Sequence, residues 1–244
     1  MFVGFGTFLN VIGIIGGSVI GVLFGRHIPE KTRSLITDAL GLVTFVAAAD
    51  ALRVVWNPLF VSALPKGWAL LTIIIALVLG ALIGNLLKIE DRLESFGVLI
   101  RDRFSSSNRG NFIEGFMAAS LLFAIGPLAI LGSISDGMGN GHQQLFLKSI
   151  LDAITSIAFA TTFGWGVLAS FIPVGIYQGL WTIAGWGLGN VMNGYQVAAM
   201  TAVGGILLMA IGLRILNIKV IAIGNLLPAI FLAPLIATAA HRFL

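Results

Sequence analysis

The sequence contains no cysteine. That excludes disulfides, thiolate metal sites and cysteine nucleophiles. Charge is scarce as well: 10% of the 244 residues are Asp, Glu, Lys or Arg, against roughly 25% in an ordinary soluble domain. Enzyme signatures are missing. There is no Gly-x-Ser-x-Gly elbow, no His-Glu-x-x-His and no P-loop. The three histidines, His27, His142 and His241, are too scattered to make a metal site by local spacing. No catalytic residue, metal or cofactor is expected. An intramembrane aspartyl hydrolase, which needs two converging carboxylates from Asp38, Asp50 and Asp152, ranks last among the readings.

What the chain has in excess is apolar surface. It is 58% hydrophobic, with a mean hydropathy of +1.03. Even a large soluble domain leaves about a quarter of its unfolded-chain surface in water, so a core of this size cannot hide so much. Lipid is the solvent that fits. The expected fold is all-α: a polytopic transmembrane helix bundle of seven or eight spans, with broken helices and a weak inverted repeat, forming one membrane domain over residues 1–244. Met1 to Leu9 carries no basic n-region and no cleavage signal, so the first apolar stretch reads as a retained span.

A span needs about 20 mainly apolar residues. Runs of that kind occupy roughly 8–25, 35–53, 67–87, 112–134, 147–169, 174–192, 196–216 and 219–240. Ala153 to Leu213 holds no charged residue. As one helix it would be on the order of 90 Å long, about three times the hydrocarbon thickness. The chain therefore turns within it, and Pro173 and Asn193-Gly194 are the expected breaks. The second run carries Asp38 and Asp50 and reads as a broken or interfacial helix.

The formal net charge is +4, yet the basic residues form no patch for nucleic acid. They lie between the apolar runs. With eight spans and an outside N-terminus, Arg26, Lys31, Arg33, Lys88, Arg92, Arg101, Arg103, Arg109, Arg214 and Lys219 fall on the cytoplasmic side. Arg53, Lys66, Lys148 and Arg242 fall on the other, the asymmetry of the positive-inside rule. Residues 88–110 are expected to form a cytoplasmic amphipathic helix and loop. Ile89, Leu93, Phe96, Ile100 and Phe104 share one helical face, fitting a helix in the membrane interface; a partner-docking helix is the alternative.

The 31 glycines are patterned. Gly17, Gly21 and Gly25 are spaced by four, as are Gly80 and Gly84, and Gly185 and Gly189. Such spacing lets a second backbone approach closely. It favours helix packing, with room for a homo-oligomer. Ala39, Gly41 and Ala47 align without gaps on Ala202, Gly204 and Ala210, and the two helix pairs would run in opposite directions, as in inverted transporter repeats.

Ionisable groups inside spans cost about 2.5–3.5 kcal/mol each at the helix centre. They must be paired, near the surface, or used. Asp152 ranks first. With Ser149, Thr155 and Ser156 it makes one polar stripe, and Lys148 lies one i,i+4 step before it. The stripe supports either a self-neutralising pair or an ion site. Glu114 opens a span that continues through Ser120 to Gly126-Pro127, where proline frees the carbonyl of Phe123; it is also close enough to the interface to snorkel. Asn225 stands just before Pro228, with Pro234 beyond. It joins Asn10, Asn85, Gln178 and Asn190 as amides that either bond between helices or line a route. Asp136-Gly137-Met138-Gly139 fails the EF-hand pattern at Met138 and reads as part of a turn between spans.

Taken together, Phe112-Ile113-Glu114-Gly115-Phe116, Gly126-Pro127, Asp136-Gly137, Lys148-Ser149-Ile150-Leu151-Asp152, Ala202-Val203-Gly204-Gly205 and Asn225-Leu226-Leu227-Pro228 resemble the YqgA-like bacterial membrane proteins (domain of unknown function 554). The likeness covers essentially the whole chain. It implies a multi-pass bacterial inner-membrane protein, with a loose suggestion of an ion channel or pump. The working expectation is a transporter or channel whose partners are the bilayer and a small ion or solute. Asp152, Lys148, Glu114, Ser149, Ser156 and Asn225 would lie near its path. A non-transporting scaffold or regulator is the alternative.

Overall fold

A computed structural model of the protein describes residues 2–25, 27–104, 109–125, 127–188 and 192–243. Among these there is no strand. Twelve helices follow in order: α1 (Phe5–Gly25), α2 (Glu30–Leu52), α3 (Pro58–Val61), α4 (Trp68–Leu86), α5 (Ile89–Phe104), α6 (Arg109–Ala124), α7 (Pro127–Gly137), α8 (Gln143–Phe163), α9 (Trp165–Ala169), α10 (Phe171–Leu188), α11 (Gly194–Ile215) and α12 (Pro228–Phe243). The all-helical fold follows from the solvent: hydrocarbon offers no partner to a bare N–H or C=O, so each spanning segment must satisfy its own backbone. The outward faces are apolar, with Val46, Leu82, Ile183, Trp186 and Leu235 all exposed.

Among the described residues seven segments are long and apolar enough to cross a bilayer, and α6 with α7, bent by 60°, makes an eighth if the pair is one span. The second run is a continuous helix rather than a broken one, and Asp38 and Asp50 lie on its exposed surface. The first break in the uncharged run falls at Gly164 (φ +65°), not at Pro173. Pro173 sits in the first turn of α10, where a missing N–H costs nothing. The second break is at Asn193, whose side chain and that of Gln196 form a capping box on α11.

The contacts divide the chain into two compact units, Met1–Gly41 with Leu93–Val191, and Leu42–Arg92 with Met192–Leu244. In the first, α1 lies along α8. A Cβ on Gly13 would meet the carbonyl oxygen of Ser149, one on Gly17 that of Ala153, and one on Gly21 that of Ile157; Gly25 lies against Thr161. Both series rise together in steps of four, so the two helices run parallel. Helix α6 runs the other way. Gly115 near its start packs on Phe163, and Phe123 near its end lies under Lys148. Helix α7 then stays at that end, with Gly132 against Leu145 and Asp136 bonded to Gly6. The bent pair thus starts beside the end of α8 and finishes beside its start, the arrangement of a single bent span.

In the second unit, Gly80 packs on Ala229 and Gly84 on the carbonyl of Asn225, so α4 and α12 are antiparallel. Gly205 packs on Ala48 and Leu52, and Gly212 on Phe45, so α2 and α11 are antiparallel too. These are the two helices that carry the aligned small residues of the suggested repeat. On α5, Ile100 is buried, Leu93 packs beside it and Gly97 lies on the ring of Phe116. Asp91, Arg92 and Glu94 are exposed on the remaining surface, whereas Arg101 is buried.

Candidate functional site

The most heavily buried polar cluster of the first unit forms where α1, α8 and α10 meet. Lys148 and Asp152, four residues apart on α8, face the same way. Nζ of Lys148 donates to Asp152 Oδ2 at 2.5 Å, and both side chains are 9% exposed. The ring of Phe123 covers the ammonium, 5.9 Å from its centroid. Asn10 of α1 donates through Nδ2 to Asp152 Oδ2 at 3.0 Å and to Gln178 Oε1 of α10 at 3.2 Å. Asn10 and Gln178 are completely buried.

The orientation of these amides follows from charge. A carboxylate only accepts, so Asn10 must turn its NH2 toward Asp152. That NH2 then requires the oxygen of Gln178. Two atoms are left over, Asn10 Oδ1 and Gln178 Nε2, both buried and without a protein partner. The hydroxyls of Ser156, Ser18 and Ser120 are in the same condition. Leaving a buried polar atom unmet costs about 1–3 kcal/mol.

Around this core the polar groups are paired. Ser149 donates to the carbonyl of Leu145. The Thr182 hydroxyl donates to the carbonyl of Gln178 at 3.0 Å, so in its 3.1 Å contact with Thr7 it is Thr7 that donates. Asp136, placed by the sequence in a turn, is buried at the end of α7. Its Oδ2 accepts the backbone N–H of Gly6 at 3.0 Å, in the first turn of α1. A carboxylate there meets both an orphan donor and the positive end of the helix dipole.

Of the residues expected near a path, Asp152, Lys148, Ser149 and Ser156 lie together on α8. Glu114 does not join them. It sits half-buried beside Gly115, at the end of α6 that packs on Phe163. Asn225 belongs to the second unit and to a different cluster. Its Oδ1 accepts the backbone N–H of Glu90 at 2.9 Å and so caps α5. The carboxylate of Glu90 accepts from Arg214 at 2.7 Å and from the backbone N–H of Gly224 at 2.6 Å. Both carboxylate oxygens of Glu90 are bonded, and neither Glu90, Arg214 nor Asn225 has a fully buried atom without a partner, the mark of a structural staple. Among the packing glycines, Gly185 lies on Ile134; Gly189 lies outside the described residues, as do Asn190 and Gly126.

Asn10, Gln178, Asp136 and Glu90 do not stand out in the sequence as principal residues. A signal for two of them was present. Asn10 stands seven residues before Gly17, and Gln178 seven before Gly185. A polar residue two turns from a packing glycine shares its face and is carried into the same interface. Among the described residues no group of three or more His, Asp or Glu side chains converges as a metal site would require.

Comparison with known proteins agrees with this architecture. The family model described as "Protein of unknown function (DUF554)" matches residues 5–238. The chain is 34% identical over 239 residues to the "Uncharacterized membrane protein YdfK" of Bacillus subtilis (strain 168), covering 98% of each chain. It is 32% identical over 235 residues to the "Uncharacterized protein YqgA" of Escherichia coli (strain K12), covering 93% of this chain and 94% of that one. No solved structure matches it. A family match over nearly the whole chain, joined to a multi-span helical architecture, means that this membrane protein belongs to the DUF554 family.

Proposed function

We propose that this protein moves an ion or small solute across a bacterial inner membrane, with the Lys148–Asp152 pair on the route. One observation carries the reading. A buried ion pair is bonded into a buried amide network in which Asn10 Oδ1 and Gln178 Nε2 have no protein partner. A pair that served only to hold helices together gains nothing from unmet neighbours, as the fully bonded Glu90 cluster illustrates. Water or a passing solute would satisfy them. The inner membrane is proposed because spans of this kind are helical, and because the two relatives above are bacterial. The distribution of basic residues favours an outside N-terminus. The reading assigns no catalytic step and no cofactor.

The test is flux into liposomes holding the purified chain, screened over protons, alkali cations and small polar solutes. The expected result is uptake of at least one species above that of empty liposomes, with most of it lost in Asp152→Asn. Unchanged flux in a folded Asp152→Asn protein would remove Asp152 from the route. If nothing crosses in a broad screen, the scaffold reading takes its place.

A further inference from the structure

The groups around Asp152 identify what kind of ion it can exchange. A metal cation needs several oxygens turned toward one point. Here the neighbours of Oδ2 turn N–H groups toward it: the ammonium of Lys148 and the NH2 of Asn10. The free atom of Gln178 is also an N–H. Such a shell solvates a negative charge and repels a metal. The ion that a donor-lined carboxylate can still take up is the one that bonds covalently to its oxygen.

We propose that the species exchanged at Asp152 is a proton, and that the side chains of Asn10 and Gln178 turn over together when it arrives; this rests on the transport reading above. Hydronium gives its proton to Asp152 Oδ2 and leaves water. Lys148 then gives one of its own protons to another water, so the pair carries no net charge before or after. Transfer from Asp152 Oδ2 back to Lys148 Nζ resets it. No electron changes hands.

The amides follow from hydrogen-bond polarity. Protonated Oδ2 carries one O–H, and while it is turned toward Asn10, before swinging to Lys148 for the reset, an NH2 facing it is unfavourable. Asn10 rotates about its terminal torsion, a soft two-fold angle, and presents Oδ1. Gln178 must then present Nε2 in place of Oε1. The leftover atoms exchange character. Before protonation, Asn10 offers an acceptor and Gln178 a donor; afterwards Asn10 offers a donor and Gln178 an acceptor. The charge on α8 is thus reported across α1 to α10 as a reversal of polarity, without movement of the backbone.

Other titratable groups near α8 are few. Helix α1 has none. Helix α10 contributes Tyr177, whose ring packs edge-on to Trp181. Helix α7 contributes Asp136, held by Gly6, and Glu114 lies toward the far end of α6.

The test is solid-state NMR of the full-length protein in liposomes, with 15N in Asn and Gln side chains and 13C in Asp carboxyls. Signals are assigned by their loss in Asn10→Leu and Gln178→Leu. On acidification, the Asp152 carboxyl and the amides of Asn10 and Gln178 should shift with one common midpoint. Replacing sodium by potassium or choline should leave that midpoint unmoved. In the isosteric Asp152→Asn protein the two amides should no longer respond to pH. The proposal fails if the amides stay fixed while Asp152 protonates, if Asp152 stays ionised throughout, or if the midpoint follows a metal cation. Flux with fixed amides would sink the switch but not transport. A working switch without flux would sink transport alone.

Discussion

Gly17 of α1 lies directly on the main-chain carbonyl of Ala153 in α8. A Cβ at position 17 has no room beside that backbone, whereas Gly16, on the exposed side of the same turn, has nothing within 4 Å. Alanine favours a helix over glycine by about 1 kcal/mol, so Gly16→Ala should be neutral or slightly stabilising. Gly17→Ala meets backbone that cannot rotate away, and overpacking of this kind costs typically 1–3 kcal/mol. Thermal unfolding in detergent should separate the two neighbours by sign. Equal behaviour would mean that α1 and α8 are not in this register.

The Lys148–Asp152 pair predicts an asymmetry between single and double substitutions. Removing one partner of a buried pair leaves an uncompensated charge and costs about 3–5 kcal/mol. Lys148→Met should therefore destabilise the protein strongly. Combining it with Asp152→Leu removes both charges and should recover much of the loss, since well-packed apolar replacements of buried pairs are often neutral. Chemical denaturation of the four proteins in a double-mutant cycle reads the coupling directly. Additive losses would show that the pair is solvated rather than buried.

Much of the fold can be read from the sequence because lipid leaves so few options. Ala153 to Leu213, uncharged for 61 residues, has to turn back on itself, and the glycine spacing marks faces that touch another helix. Less can be read of which helix each face touches. Gly84 meets Asn225 across 141 positions, and no local pattern encodes that pairing. Asp152 and Lys148 were legible as a pair because i,i+4 geometry is local. Asn10 and Gln178 were not tied to them, since their partners come from other helices. Glu114 and Asn225 look polar and membrane-placed in sequence just as Asp152 does. Only the three-dimensional packing separates an end-of-helix carboxylate and a capping amide from the buried core of the site.

The second cluster gives a prediction of a different kind. Glu90 holds Arg214 and the N–H of Gly224, and Asn225 caps the helix that Glu90 begins. Hydrogen bonds to charged groups contribute about 1.5–3 kcal/mol. Glu90→Ala should lose at least that much, and Asn225→Ala about 0.5–2 kcal/mol as a lost cap. Because no fully buried side-chain atom of these residues lacks a partner, the losses should appear in unfolding midpoints. Any liposome flux, normalised to folded protein, should be preserved in both variants. A folded Asn225→Ala protein without flux would return Asn225 to the route.

The number of crossings decides on which side the chain ends, and contacts within each unit fix it by parity. Glu90 follows α4, and Arg214 is in the last turn of α11, yet the two touch. The ends of α4 and α11 must then lie on one side of the membrane, which requires an even number of crossings between them. If α8, α10 and α11, each long and apolar enough to span, provide three, the bent pair α6 and α7 is required to provide the fourth. The parallel run of α1 and α8 demands the same, because α2 and α4 alone would leave α8 antiparallel to α1. Eight crossings would return the C-terminus to the side of the N-terminus. The cysteine-free chain is a clean background for the measurement. A membrane-impermeant thiol reagent should label Val3→Cys and Arg242→Cys from one side and Asp91→Cys from the other. Labelling of Val3→Cys and Arg242→Cys from opposite sides would turn α6 and α7 into a re-entrant pair and undo the register of α1 on α8.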